Sequence, residues 1–160
     1  MEIESISDHD TASLEAIGVL FREYASSLGF ELDFQNFKEE LVNLPGEYSR
    51  PNGRILMARE ADGPAGCVAL RRIDVVTCEM KRLYVRPELR GRGIGKALAE
   101  RIIGDAIRLG YTKMRLDTVS TMTAAIRLYR SLGFTEIGKY RVNPLPNALF
   151  LELDLSARQS

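Results

Sequence analysis

The residues best suited to chemistry lie in one stretch, Val85-Arg-Pro-Glu-Leu-Arg-Gly-Arg-Gly-Ile-Gly-Lys96, where glycines 91, 93 and 95 alternate with basic and apolar side chains. A strand-like run ends just before it and an amphipathic, helix-like run begins inside it. Glycine lets the backbone turn tightly. Several N–H groups can then point into one hollow at the positive end of a helix, and such a hollow fits a pyrophosphate. Arg90, Arg92 and Lys96 would add side-chain charge around it. Counting excludes two familiar phosphate loops. G-x-G-x-x-G fails because Lys96 and Leu98 stand where the third glycine belongs. G-x-x-x-x-G-K-[ST] fails because Arg90 precedes Gly95 by five residues and Ala97 follows Lys96.

What remains, Arg90-x-x-Gly93-x-Gly95, resembles the acyl-CoA loop Gln/Arg-x-x-Gly-x-Gly/Ala of the GNAT superfamily of N-acetyltransferases. Two further segments carry the same resemblance. Glu79-Met-Lys-Arg-Leu-Tyr-Val85 is similar to the family's fourth strand. Ala125-Ile-Arg-Leu-Tyr-Arg-Ser-Leu-Gly-Phe134 is similar to its A-x-x-L-Y-x-x-x-G-F helix and strand. The likeness extends over roughly residues 1–155 and is strongest over 79–134. One departure is Met122, where many members carry asparagine; Thr121 and Thr123 flank it.

The resemblance implies a fold, a cofactor and a set of site residues. The fold is a single α/β (α+β) domain over 1–160, with a mixed, mostly antiparallel central sheet and about four helices. The co-substrate is acetyl-CoA, with no metal. Strands four and five splay apart in this family. Leu83, Tyr84 and Val85 would then meet the pantetheine arm, and Arg90, Gly91, Arg92, Gly93, Ile94, Gly95 and Lys96 the pyrophosphate. The acceptor is expected to be a small molecule with a primary amine, which must lose a proton as it attacks the thioester. Glu79 is the expected base and Tyr129 the acid that protonates the leaving thiolate. The first two helices cover the acceptor site in this family, which makes Phe30, Phe34, Tyr48 and Tyr140 candidate pocket residues. A GNAT-like domain that binds acyl-CoA without turnover is the alternative. The identity of the acceptor and the existence of a homodimer stay open.

The elements that must position these residues can be read from periodicity. Leu14, Ile17, Phe21, Tyr24 and Leu28 recur at helical steps, with Asp8 or Asp10 as N-cap and Gly29 as the stop. Phe34, Phe37, Leu41 and Leu44 continue the pattern to Pro45-Gly46. Strands are expected at Ile3–Ile6, Arg54–Arg59, Gly66–Ile73 and Thr77–Val85, the second and third joined at Asp62-Gly63. A helix through Ile94, Leu98, Ile102, Ala106 and Leu109 should end at Gly110. After it come a strand at Lys113–Thr118, a helix ended by Gly133, and strands at Phe134–Ile137 and Leu149–Leu153. By period two, Glu79 shares a face of its strand with Lys81, Leu83 and Val85.

Composition supplies exclusions. One hundred and sixty residues make one ordinary domain. Twenty-two basic and twenty-two acidic residues argue against a bulk polyanion binder, so no nucleic-acid or anionic-membrane partner is expected. Two cysteines, 67 and 78, and one histidine, His9, do not make a zinc set. The sequence has neither a leader-like start nor a run of the roughly 20 apolar residues that a membrane span needs, which points to the cytoplasm. The zero total hides an asymmetry. Residues 1–49 carry eleven acidic and two basic side chains, and the remainder carries twenty basic and eleven acidic. An acidic cover over the acceptor site would favour a cationic acceptor.

Overall fold

The computed structural model describes residues 1–29 and 36–158. Phe30 and Phe34, two of the expected pocket residues, lie outside the described residues. Seven strands form one sheet in the order β1-β2-β3-β4-β5-β7-β6. They are β1 (Glu2–Ser5), β2 (Arg54–Glu60), β3 (Gly63–Arg72), β4 (Thr77–Val85), β5 (Lys113–Val119), β6 (Thr135–Ile137) and β7 (Ala148–Asp154). Only β4 and β5 run parallel; every other neighbouring pair is antiparallel. The expectation of a mixed, mostly antiparallel sheet therefore holds.

Helices α1 (Thr11–Ser27) and α2 (Phe37–Val42) cover one face of the sheet, and α3 (Ile94–Arg108) and α4 (Thr123–Ser131) cover the other. The alternation of apolar side chains along the central strands feeds both layers. Ile55, Met57, Cys67 and Ala69 pack with Ile17, Leu20 and Phe21 of α1. Leu56, Val68, Leu70, Met114 and Leu116 pack with Leu98, Ile102 and Ile103 of α3. Local signals act where they were read. The Asp10 carboxylate accepts from the backbone N–H of Ser13 at 3.1 Å, capping α1. Helix α2 is shorter than its periodicity implied, with Phe37 as its buried residue.

Strand β4 departs from simple alternation. Its register against β3 slips between Cys67 and Ala69, and Arg82 adopts a left-handed backbone at φ 61°. This is a β-bulge, which reverses the in/out phase of everything after it. Met80, Leu83 and Val85 consequently pack on the α3 side, whereas Tyr84 packs against α1. Glu79 and Lys81 therefore do not share a face with Leu83 and Val85, contrary to the period-two reading.

The charge asymmetry of the chain also finds a structural use. Glu4, Glu23, Glu40 and Glu47 pair with Arg59, Arg86, Arg82 and Arg71, acidic N-terminal residues on basic strand residues. Part of the acidic surplus thus helps to fasten the N-terminal segment to the sheet.

Candidate active site

Strands β4 and β5 pair only from Thr77 and Lys113 to Glu79 and Arg115. Beyond that point each follows its other neighbour: β4 stays on β3 as far as Val85, and β5 stays on β7 as far as Val119. The two strands part, leaving the edge of β4 past Glu79 without a partner strand. A cleft of about 620 Å³ occupies this region. Leu83, Tyr84, Val85, Arg90, Gly91, Gly93, Ile94 and Gly95 line it, all of them expected from sequence.

The loop before α3 owes its shape to two glycines. Gly91 and Gly93 take φ values of 82° and 80°, and Gly93 is the N-cap of α3. Side chains other than glycine are strained there. A Cβ at either position would meet nothing within 4 Å, so these glycines are required for conformation and the space beyond them is open. Gly95 differs: its φ is not positive, and a Cβ there would touch Val85 and Leu128 only at ordinary distances. Arg90 donates from Nε to the Val85 carbonyl at 3.0 Å and stacks over the Tyr84 ring, tying the loop to the end of β4. Arg92 is exposed, and Lys96 pairs with Glu100 at 3.8 Å. Neither lines the cleft.

Helix α1 closes the opposite wall. Glu23 accepts from Arg86 Nη2 at 2.8 Å and Nε at 3.0 Å, and from the Tyr84 hydroxyl at 3.2 Å. This latch sets Tyr24 edge-on to Tyr84 and into the cleft lining. Tyr24 went unrecognised in the sequence because it falls on the same stripe as core residues of α1. Met122, at the usual asparagine position, lines the cleft with Thr121 and Thr123, and its sulfur accepts from the Thr118 hydroxyl at 3.7 Å.

Tyr129 is buried on α4, its ring edge-on to Phe134, one residue beyond the cleft-lining Leu128. Burial pushes its phenol up, and the Tyr24 and Asp117 charges add to the effect. Tyr24 is raised for the same leading reason, with Asp117 again contributing. The two tyrosines belong to the layers on opposite faces of the sheet.

Glu79 stands at the last β4–β5 pair, fully buried. Its Oε1 accepts from Arg71 Nε at 2.7 Å and its Oε2 from the Tyr140 hydroxyl at 2.5 Å, while Arg141 Nη1 lies 3.3 Å from both. Burial alone would raise its carboxyl, but Lys81, Arg71, Tyr140 and Arg141 together hold it below the ordinary glutamate value. Lys81 is pushed down to about 7, chiefly by burial and then by Arg82. Glu79 is thus an anchor for cations and a phenol, with both oxygens engaged. Tyr140 does not line the cleft; its hydroxyl donates to Glu79 and its ring lies between Arg115 and Phe150. Tyr48 does not line an open wall: it is buried against Phe21 and donates to Glu40 at 2.9 Å, bracing the Glu40–Arg82 pair from behind.

A splayed parallel pair with a glycine-capped helix N-terminus at its mouth is the site of an acyl-CoA-dependent acyltransferase fold. The chain belongs to the acetyltransferase (GNAT) family, whose model matches residues 14–134. It is 43% identical over 145 residues to an uncharacterised N-acetyltransferase of Schizosaccharomyces pombe, covering 89% of both chains. It is 34% identical over 204 residues to an uncharacterised N-acetyltransferase of Dictyostelium discoideum, covering 89% of this chain and 94% of the relative. A Salmonella typhimurium acetyltransferase structure containing its cofactor acetyl-CoA shares the fold, with a TM-score of 0.72 and 24% identity over 97% of this chain and 94% of that one.

Proposed function

We propose that the protein transfers an acetyl group from acetyl-CoA to the primary amine of a small acceptor by direct attack, with both substrates bound together. The observation that carries this reading is the cleft between β4 and β5, with the left-handed Gly91 and Gly93 at its mouth. The residues present fit the cofactor. Backbone N–H groups at the start of α3 suit a pyrophosphate, and the partnerless edge of β4 over Leu83–Val85 suits the amides of an extended arm. When bound, acetyl-CoA supplies an acetyl group activated as a thioester.

The chain's own residues do the rest. The α3 N-terminus and Arg90 hold the phosphate end at the mouth of the cleft. Leu83, Val85 and Leu128 exclude water along its walls. Tyr129 keeps its proton through neutral pH and donates it to the departing sulfur. Tyr84, Tyr24 and Tyr140 shape the acceptor side, with Tyr140 held by Glu79. No covalent step on the protein is required: Cys67 and Cys78 are both free and buried. Two unpaired thiols accord with a reducing compartment, and we place the reaction in the cytoplasm.

The test mixes the protein with acetyl-CoA and a panel of amines and follows the release of free thiol. Thermal stabilisation by CoA, with thiol release for at least one amine, is expected. Tyr129→Phe should lower kcat by roughly 10²-fold with little change in CoA affinity. Stabilisation without release for any amine would replace this reading with an acyl-CoA sensor.

A further inference from the structure

We infer that Asp117 on β5 is the general base that takes the acceptor's proton, a role the sequence reading gave to Glu79. This rests on the transfer reading above and assigns one residue within it. Asp117 follows Arg115, the last β5 residue paired to β4, by two positions, so it projects from the wall that has just parted from β4. It stands four residues before Thr121, where the chain enters the cleft lining.

The Asp117 side chain is only 7% exposed and lies behind the residues that line the cleft; one of its oxygens is fixed by a hydrogen bond and the other is not. Its Oδ2 accepts from Asn143 Nδ2 at 3.0 Å. The Asn143 amide is itself oriented, because its Oδ1 accepts from the backbone N–H of Leu145 at 3.0 Å. Asp117 Oδ1 has only a 4.0 Å ion-pair contact with Arg141 among the described residues, too long for a hydrogen bond. That oxygen is not sealed, since no buried side-chain oxygen or nitrogen among the described residues lacks a partner. Glu79 is the reverse case: fully buried, with both oxygens already accepting.

The surroundings suit the role. Asp117 acts electrostatically on the Tyr24 and Tyr129 phenols, and on Lys81 and Tyr140. Tyr129 on α4 and Asp117 on β5 are thus near enough to influence each other electrostatically. In the reaction the acceptor's neutral nitrogen forms the C–N bond while Asp117 Oδ1 takes the N–H proton. The C–S bond then breaks, and its electron pair leaves on sulfur, which takes the Tyr129 proton. Asp117 returns its proton to solvent and Tyr129 is reprotonated, so thioester and amine become amide and thiol with no other reactant.

The test compares wild type with Asp117→Asn and Asp117→Ala. With the best amine of the panel, Asp117→Asn should lose about 10²–10³-fold in kcat. Its thermal stabilisation by CoA should match wild type, and the additional stabilisation by amine in the CoA complex should fall. Formate, a small carboxylate, should raise the Asp117→Ala rate at least about tenfold and leave wild type unchanged, a rescue that a purely structural role would not give. The inference is overturned if Asp117→Asn keeps kcat within about threefold of wild type, or if Asp117→Ala ignores formate. Wild type that is stabilised by CoA yet inert toward every amine overturns the transfer reading and this assignment with it.

Discussion

Glu79 and Asp117 are carboxylates on facing strands, and their surroundings give them different work. Glu79 gathers Arg71, Lys81, Arg141 and Tyr140 at the point where the strands part. Removing its charge takes from Arg71, Lys81 and Arg141 the buried carboxylate they share; breaking a fully buried pair costs about 3–5 kcal/mol, and these partly exposed ones less. Glu79→Gln should therefore lower the melting temperature markedly at neutral pH. The pH dependence has a definite sign. A carboxyl held below its ordinary value gives stability that is complete above the ordinary glutamate range and is lost as pH falls through the lowered value. Melting curves from neutral to acid pH should accordingly converge for wild type and Glu79→Gln; a constant gap at all pH values would contradict the assignment. Glu79 was legible in the sequence because it sits in a family-like strand at the right distance from the loop. Asp117 was not, because an aspartate in a short strand carries no signal until the strand's partner, and the Asn143 that holds it, are known.

Elements followed the sequence wherever a local signal sets them. Gly29, Gly110 and Gly133 all take left-handed conformations just past helices, as their positions implied. The Asp62-Gly63 hairpin and the full extent of β4 were likewise legible. The bulge at Arg82 was not, since period two assumes an uninterrupted pairing register. That single residue moves Leu83 and Val85 to the α3 side, opposite to the face of Glu79 and Lys81. The loop offers a test at the same scale. Gly93→Ala forces an alanine into φ 80°, at a cost of roughly 1–2 kcal/mol. CoA affinity should fall by about tenfold if that strain is relieved by reshaping the loop. Gly95→Ala, with only ordinary contacts waiting for its methyl, should bind CoA nearly as well as wild type. Equal losses at both positions, measured by calorimetric titration, would contradict this division.

Among the described residues the molecule is a sheet with a helical layer on each face and a cleft where its parallel pair β4–β5 comes apart. The net charge is zero, and part of the internal asymmetry is taken up by pairs such as Glu23–Arg86 and Glu40–Arg82. No helix among the described residues is long and apolar enough to cross a membrane. In the proposed reaction acetyl moves from CoA to an amine within this cleft. Acetyl-CoA labelled in its acetyl group, incubated with the protein and one active amine, tests it most directly by mass balance. One labelled acetamide for each thiol released, with no label left on the protein, is expected. Thiol release without acetylated amine, or label retained on the chain, would contradict it.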